Sequence, residues 1–120
     1  MNPGTQSRKE YIFRINRVVD YIDKNLDSDL NLELLSDIAG FSPYHFHRIF
    51  SALSGETLNG YIRRIRAEKA ARFLVQYPEM SISEISDRCG YSSMPVFCRT
   101  FKAIFNQSAQ DFRDLHESKL

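Results

Sequence analysis

Two arginines, Arg48 and Arg99, occupy matched positions in two similar stretches of this sequence, 51 residues apart. The planar guanidinium of arginine can donate two parallel hydrogen bonds to one guanine edge or to a phosphate. Each arginine lies in a basic segment: residues 42–72 carry six bases and two acids, and residues 88–105 carry three bases and no acid. Residues of this type and spacing suit the recognition of a polyanion.

The total charge conceals these two basic segments. The chain has 120 residues with 16 bases and 15 acids, and a net charge of +1 taken alone argues against a nucleic-acid binder. The remaining segments, residues 1–41, 73–87 and 106–120, each carry more acids than bases. Ordinary surface charge is the alternative explanation of these segments. They indicate a binding surface only where they coincide with structural elements.

The composition is that of a globular domain. Hydrophobic residues make up 42% and charged residues 26%, which excludes a disordered tail or a collagen-like chain. No apolar run approaches the roughly 18 residues that a membrane span needs, and the polar first ten residues lack an apolar signal core. The two cysteines, Cys89 and Cys98, are too few for a disulfide scaffold and favour a reducing, cytoplasmic location.

The sequence contains no catalytic constellation. It has no nucleophile elbow, no phosphate loop and no pair of carboxylates in a plausible cleft. His45 and His47 are two residues apart on a predicted helix and so lie on different faces. No cysteine or carboxylate is spaced to complete a metal site with them. We therefore expect neither an enzyme nor a site for a metal or cofactor.

Apolar periodicity predicts an all-α fold of seven helices. Serine, threonine or asparagine precedes six of the helices as a cap, with Ser92 or Ser93 before the sixth. Glycine ends several of them. The helices are predicted to span about 8–25, 32–39, 43–53, 58–76, 81–90, 94–105 and a short segment from 108.

One supersecondary unit occurs twice. Leu35–Ser42 matches Ile85–Ser92 at an offset of 50, and after one inserted residue the match resumes at 51, so that the repeat covers about 27 residues. Each copy has a short helix, a turn with Gly40 or Gly90, and a second helix capped by serine, which is the plan of a helix-turn-helix. Two generic helical hairpins are the alternative, but agreement at polar and aromatic positions favours a tandem helix-turn-helix.

A long central helix separates the two copies. We expect a first subdomain over residues 1–56, a linker helix over 57–77 and a second subdomain over 78–120. A helix of about 19 residues spans roughly 28 Å, and consecutive major-groove segments on one face of B-DNA lie roughly 34 Å apart. Such a spacer could place both recognition helices in adjacent major-groove segments.

Four stretches of the chain carry recognisable motifs: Leu35–Phe50, Tyr61–Ile62, Ile85–Tyr91 and Phe97–Lys102. Together they resemble the DNA-binding domain of the AraC/XylS-type bacterial transcription regulators. The resemblance extends over about Tyr11–His116 and implies two helix-turn-helix subdomains, asymmetric sites on double-stranded DNA and, usually, activation with RNA polymerase. Asn106 replaces a glycine of the family's C-terminal signature, and asparagine tolerates a left-handed turn.

The resemblance implies base contacts at Tyr44, His47 and Arg48 in the first recognition helix. Alternatively, Arg48 is merely solvated and Tyr44 closes the edge of the core. In the second recognition helix, the outward candidates for base contacts are Met94, Pro95, Cys98 and Arg99. The candidates for phosphate contacts are Ser42, Ser51, Arg63, Ser92, Ser93 and Lys102, and three of them are serines near helix N-termini.

Other residues of the recognition helices are expected to form the core. Cys89 is expected to pack as a small apolar residue where the first copy has Ala39, whereas Cys98 could be exposed. The residues predicted to point inward are Phe46, Ile49, Phe50 and Leu53 in the first recognition helix, and Phe97, Phe101 and Ile104 in the second.

The sequence thus favours a sequence-specific DNA-binding transcription regulator. A helical protein-interaction module is the alternative, but a scaffold has no need of outward arginines at matched positions. We expect this chain to be monomeric. It is either a stand-alone regulator or the N-terminal DNA-binding part of a longer protein with an effector-sensing domain after Leu120.

Overall fold

The computed structural model describes residues 3–117, with side chains described from residue 7 onward. Within that range there are seven helices and no strand, which confirms the predicted all-α fold. The choice between a stand-alone regulator and a longer protein with a sensor domain after Leu120 concerns residues outside the described range. The helices are α1 (Pro3–Lys24), α2 (Leu32–Ala39), α3 (Pro43–Ser54), α4 (Leu58–Gln76), α5 (Ile82–Arg88), α6 (Met94–Phe105) and α7 (Ala109–Glu117).

The predicted bounds of α2, α4 and α6 are confirmed, and the predicted start of α1 is wrong. Helix α1 begins at Pro3, five residues before the predicted start at Arg8. Proline is compatible with the first turn of a helix, where the backbone N–H groups have no intrahelical acceptor. The start was predicted from the periodic apolar residues of the helix. A helix can continue beyond the residues that it buries, so this pattern does not mark its first residue.

Side-chain caps define the starts of six helices. In each case the side-chain oxygen accepts a hydrogen bond of 2.9–3.3 Å from the backbone N–H three residues later. Of the two serines proposed for α6, Ser93 forms the cap. The capping residues are Asn31, Ser42, Thr57, Ser81, Ser93 and Ser108.

Glycine makes the turn of each helix-turn-helix. Gly40 has φ 77° and Gly90 has φ 89°, in the left-handed region that side chains rarely adopt. After each glycine the chain closes the turn in the same way, since the next backbone N–H donates to a serine carbonyl. These hydrogen bonds are Phe41 N–H to Ser36 O at 3.0 Å and Tyr91 N–H to Ser86 O at 3.1 Å.

The chain forms two compact units. The first comprises residues 1–25 and 29–61, and the second comprises residues 26–28 and 62–120. Helix α4 therefore begins in the first unit and continues in the second. The division into subdomains 1–56 and 78–120 with a linker between them stays a prediction.

The core of the first unit is formed by α1, α2 and α3 with the start of α4. Leu53, which was predicted to point inward, is 36% exposed. It lies in the last turn of α3 and lines a shallow groove with Ile12 and Val19 instead of entering the core. The buried apolar residues are Ile15, Val18, Ile22, Leu35, Ala39, Phe46, Ile49, Phe50 and Leu58.

The core of the second unit is an aromatic cluster completed by α7. Arg113 is buried, and its guanidinium donates hydrogen bonds of 3.1 Å to the carbonyls of Leu74 and Tyr77 at the end of α4. The bond to Leu74 satisfies a carbonyl that lacks an intrahelical donor, because the residue four positions later is a proline. Ile104, predicted to point inward, is half-buried. The buried residues of this cluster are Ala70, Leu74, Ile85, Cys89, Phe97, Phe101 and Ala109.

The structural repeat extends beyond the similarity seen in the sequence. Buried positions of α1 recur in α4 at an offset of 52, and two buried positions of α4 recur in α7 at an offset of 51. The α1–α4 pairs have little chemical similarity, because isoleucine or valine is replaced by alanine in two of the three. The pairs are Ile15/Ala67, Val18/Ala70, Ile22/Leu74, Leu58/Ala109 and Ile62/Arg113.

Cys89 occupies the position of Ala39 in the first copy, and both side chains are buried as predicted. Burial raises the pKa of the Cys89 thiol from 9.0 to about 11, although the positive charges of Lys69, Arg72 and Arg66 act in the opposite direction. The thiol is therefore protonated at neutral pH and is a small apolar group of the core.

The raised pKa of Cys89 predicts alkaline destabilisation. Between pH 9 and 11 the unfolded thiol releases its proton while the folded thiol retains it, so the free energy of unfolding falls as pH rises, by up to about 3 kcal/mol. We expect Cys89→Ala to remove the part of this fall that begins at pH 9, as measured by urea denaturation from pH 8 to 11, whereas the raised pKa of Tyr91, about 12, leaves a fall above pH 10. Cys98→Ala should behave like the wild type, because Cys98 is exposed. Parallel curves for the wild type and Cys89→Ala would contradict the prediction.

Candidate DNA interface

The first recognition helix, α3, presents three exposed side chains that the resemblance implied as base contacts. Tyr44, His47 and Arg48 all lie on the solvent face of the first unit. Tyr44 is 74% exposed, so it does not close the edge of the core. Its ring centre lies 5.8 Å from the guanidinium carbon of Arg48, one helical turn later.

Aromatic packing fixes the start of α3 on α1. The ring of His45 lies 5.1 Å from Phe41 and 5.9 Å from Tyr11, both in edge-on geometry, and Arg14 lies 5.0 Å from the Phe41 ring. His45 is thus exposed but packs its ring against Phe41 and Tyr11, whereas His47 is exposed on a different face of the helix. Within residues 7–117, no group of three histidine, cysteine or acidic side chains could hold a metal ion.

The phosphate candidates of α3 differ from each other. The Ser42 hydroxyl accepts the His45 N–H at 3.2 Å, and a hydroxyl that accepts can still donate its proton to a phosphate oxygen. The Ser51 oxygen is buried and has no hydrogen-bond partner among the described residues. A phosphate contact from Ser51, which stays a prediction, would require another rotamer.

The second recognition helix, α6, has a more apolar outward face. Its two charged side chains, Arg99 and Lys102, are exposed, and the helix carries no acid. Ser93 caps the helix while Ser92 precedes it, and both are exposed. The other candidates are also exposed: Met94, Pro95 and Cys98.

The three arginines in the middle of α4 have different surroundings. The Arg64 guanidinium pairs with the Glu68 carboxylate at 2.9 Å. Arg66 donates hydrogen bonds of 3.1 Å to the carbonyls of Leu26 and Ser28, the segment that follows α1. Arg63 is exposed. Protein contacts thus engage Arg64 and Arg66, and the phosphate contact of Arg63 stays a prediction.

Sequence reasoning missed the contact between Tyr44 and Arg48 and the anchoring roles of Arg66 and Arg113. The spacing of four residues between Tyr44 and Arg48 is the signal that could have revealed the first, because such residues are neighbours on a helix. The anchoring arginines donate to carbonyls 36–40 residues away along the chain, and no local pattern indicates them.

No helix in the described range is long and apolar enough to cross a membrane.

Comparison with known families and proteins identifies similar chains. A family model described as a helix-turn-helix domain matches residues 35–114. The chain is 37% identical over 101 residues to the bifunctional transcriptional activator/DNA repair enzyme AdaA of Bacillus subtilis (strain 168), covering 84% of this chain and 47% of AdaA. It is 33% identical over 99 residues to the multiple antibiotic resistance protein MarA of Escherichia coli (strain K12), covering 82% of this chain and 77% of MarA.

Solved structures share the fold. The C-terminal domain of AraT, a response regulator from Geobacillus stearothermophilus, is 30% identical with a TM-score of 0.80, covering 85% of this chain and 84% of that one. An AraC-type transcriptional regulator from Chromobacterium violaceum is 25% identical with a TM-score of 0.79, covering 96% of each chain. The DNA-binding domain of AdpA, solved with a target DNA, has a TM-score of 0.84 at 24% identity, covering 88% of this chain and 95% of that one, and shows the fold alone.

The cap of α6 predicts different effects of two adjacent serines. Ser93→Ala removes the side-chain acceptor of the Val96 N–H and should lower the free energy of unfolding by about 1 kcal/mol. Ser92→Ala is the matched control and should change it by less than about 0.5 kcal/mol. Urea denaturation of both variants is the measurement, and equal losses would contradict the assignment of the cap.

Proposed function

Since this chain belongs to the helix-turn-helix family of AraC-type transcription regulators, we propose that it reads a specific sequence of double-stranded DNA and regulates transcription there. One observation carries the proposal. Arg48 and Arg99 occupy equivalent exposed positions on two capped helices that follow equivalent glycine turns. Exposed arginines at the same position of both recognition helices suit two major-groove contacts.

The exposed side chains divide into two proposed roles. Arg48 and Arg99 each present a guanidinium that can bind O6 and N7 of guanine, and Met94 and Cys98 suit thymine methyl groups. The residues proposed to read bases are Tyr44, His47, Arg48, Met94, Pro95, Cys98 and Arg99. The residues proposed to bind phosphates are Ser42, Ser51, Arg63, Ser92, Ser93 and Lys102, which would fix the position of the protein on the duplex.

The long helix is the proposed spacer between the two reading helices. A rigid segment over residues 57–77 would let one chain occupy two adjacent major-groove segments, as dimers of single helix-turn-helix proteins do. The bound site would then consist of two short elements roughly ten base pairs apart. Because the outward faces of α3 and α6 differ, the site would lack two-fold symmetry.

Regulation by the whole protein is also a proposal. The chain spans about half of AdaA, so nothing of the repair activity in that protein's name is transferred. We propose activation through contact with RNA polymerase, by a monomer in the cytoplasm, with no catalytic step. The alternative function, a helical protein-interaction module, would leave the matched, exposed arginines unexplained. No observation favours it.

The phosphate contacts predict a steep dependence of affinity on salt. Neutralising phosphates releases counterions, so the logarithm of the association constant should fall linearly with the logarithm of salt concentration. Lys102→Ala should weaken binding on all sequences and reduce that slope by about one. Fluorescence anisotropy from 50 to 200 mM salt measures both. Lys24→Ala, in the acidic segment, is the matched control, and an affinity independent of salt would favour an apolar protein interface.

The proposed guanine contact predicts a local loss of specificity. Arg48→Ala should cost about 1–3 kcal/mol on the preferred sequence and relax the preference at one base position. In vitro selection of bound DNA by the wild type and the variant measures this. If affinity falls equally on every sequence, Arg48 is a phosphate contact and does not read a base.

A further inference from the structure

We propose that the Tyr44 ring positions the Arg48 guanidinium for base reading and that α3 therefore discriminates bases more strongly than α6. The inference deepens the proposed function and rests on it. Tyr44 acts here through Arg48, in addition to any contact of its own with DNA.

The two side chains meet on the outward face of α3. The guanidinium carbon of Arg48 lies 5.8 Å from the centre of the Tyr44 ring, within the range of a cation–π interaction. The spacing of four residues places them one turn apart on the same face. Pro43 and the Ser42 cap fix the backbone of the first turn, which carries the tyrosine.

Nothing else in the described part of the chain holds Arg48. No carboxylate lies within ion-pairing distance of it among residues 7–117, in contrast to Arg14, Arg64 and Arg88, which pair with glutamates. Among the described residues, the Tyr44 ring is thus the one aromatic, ion-pair or hydrogen-bond partner of this side chain. An arginine has several rotatable bonds, and fixing them on binding costs conformational entropy. A guanidinium already held against a ring loses less of that entropy when it binds a guanine edge.

The second recognition helix provides an internal comparison. Pro95 occupies the position of Tyr44, four residues before Arg99, and a proline ring has no π face. No ring contact of Arg99 occurs among the described residues. The two arginines therefore share a position and a charge but differ in their support. This difference predicts stronger base preference at the contact of Arg48 than at that of Arg99.

The free protein tests the contact without DNA. We expect the 15N relaxation of the Arg48 side-chain Nε–H to give a higher order parameter than that of Arg99. Tyr44→Leu, which keeps an apolar side chain but removes the π face, should lower the Arg48 value to that of Arg99. Tyr44→Phe keeps the ring and should retain the wild-type value. Equal values for Arg48 in all three proteins would overturn the positioning role.

DNA selection tests the consequence. The base that Arg48 reads is the position at which Arg48→Ala loses preference. At that base, Tyr44→Leu should reduce the discrimination by about two- to five-fold, the range expected of an exposed cation–π pair. Tyr44→Phe should retain the discrimination. In the Arg48→Ala background, Tyr44→Leu should have no further effect there, and an undiminished effect would overturn the coupling.

Installing the ring in α6 is the converse experiment. Pro95→Tyr places tyrosine four residues before Arg99, as in α3, and should raise discrimination at the Arg99 base by about two- to five-fold. Discrimination that does not rise would overturn the explanation of the difference between the helices. A wild-type protein that selects no DNA sequence would overturn the proposed function itself. One that selects DNA while Tyr44→Leu retains full discrimination would overturn the positioning role alone.

Discussion

The left-handed glycine turn is the constraint on which both recognition helices depend. At Gly90 the backbone passes so close to Leu26 that a Cβ atom would overlap its carbonyl oxygen and lie 2.9 Å from Nε of Arg66. At Gly40 the neighbour is another arginine, since Arg14 donates to the Gly40 carbonyl at 3.1 Å. Arg14 and Arg66 are 52 residues apart, the same offset that relates the buried positions of α1 and α4. Each unit thus sets an arginine of its first helix beside the glycine that turns the chain into the recognition helix.

The basic residues consequently serve two purposes, which a count of charges cannot separate. Arg66 and Arg113 donate to backbone carbonyls, and they hold the segment after α1 and the end of α4 in place. Arg48 and Arg99 are exposed and make no such bonds in the part of the chain that the structure describes. A protein of net charge +1 can therefore present positive charge on its recognition helices, because electrostatic attraction depends on the local potential.

The two copies keep one framework and differ on their surfaces. Phenylalanines are buried at equivalent positions of α3 and α6, and the caps are serines in both helices. The outward positions have diverged. In the alignment of the repeat, Tyr44 corresponds to Pro95 and His47 corresponds to Cys98. Core positions are constrained by close packing, whereas exposed positions are constrained only by what they contact. This divergence fits the proposed binding of a DNA site without two-fold symmetry.

The sequence by itself determined the seven helices, their caps, the glycine turns and the exposed arginines, because each of these depends on interactions within about four residues along the chain. It also determined that Phe46 and Phe97 are core residues, since helical periodicity separates the buried face from the exposed one. Only the tertiary structure decided that Leu53 leaves the core, that Arg66 binds carbonyls while Arg63 faces solvent, and that α7 is anchored by a buried arginine. These outcomes depend on which distant segment packs against a residue, and the chain carries no local signal of that partner.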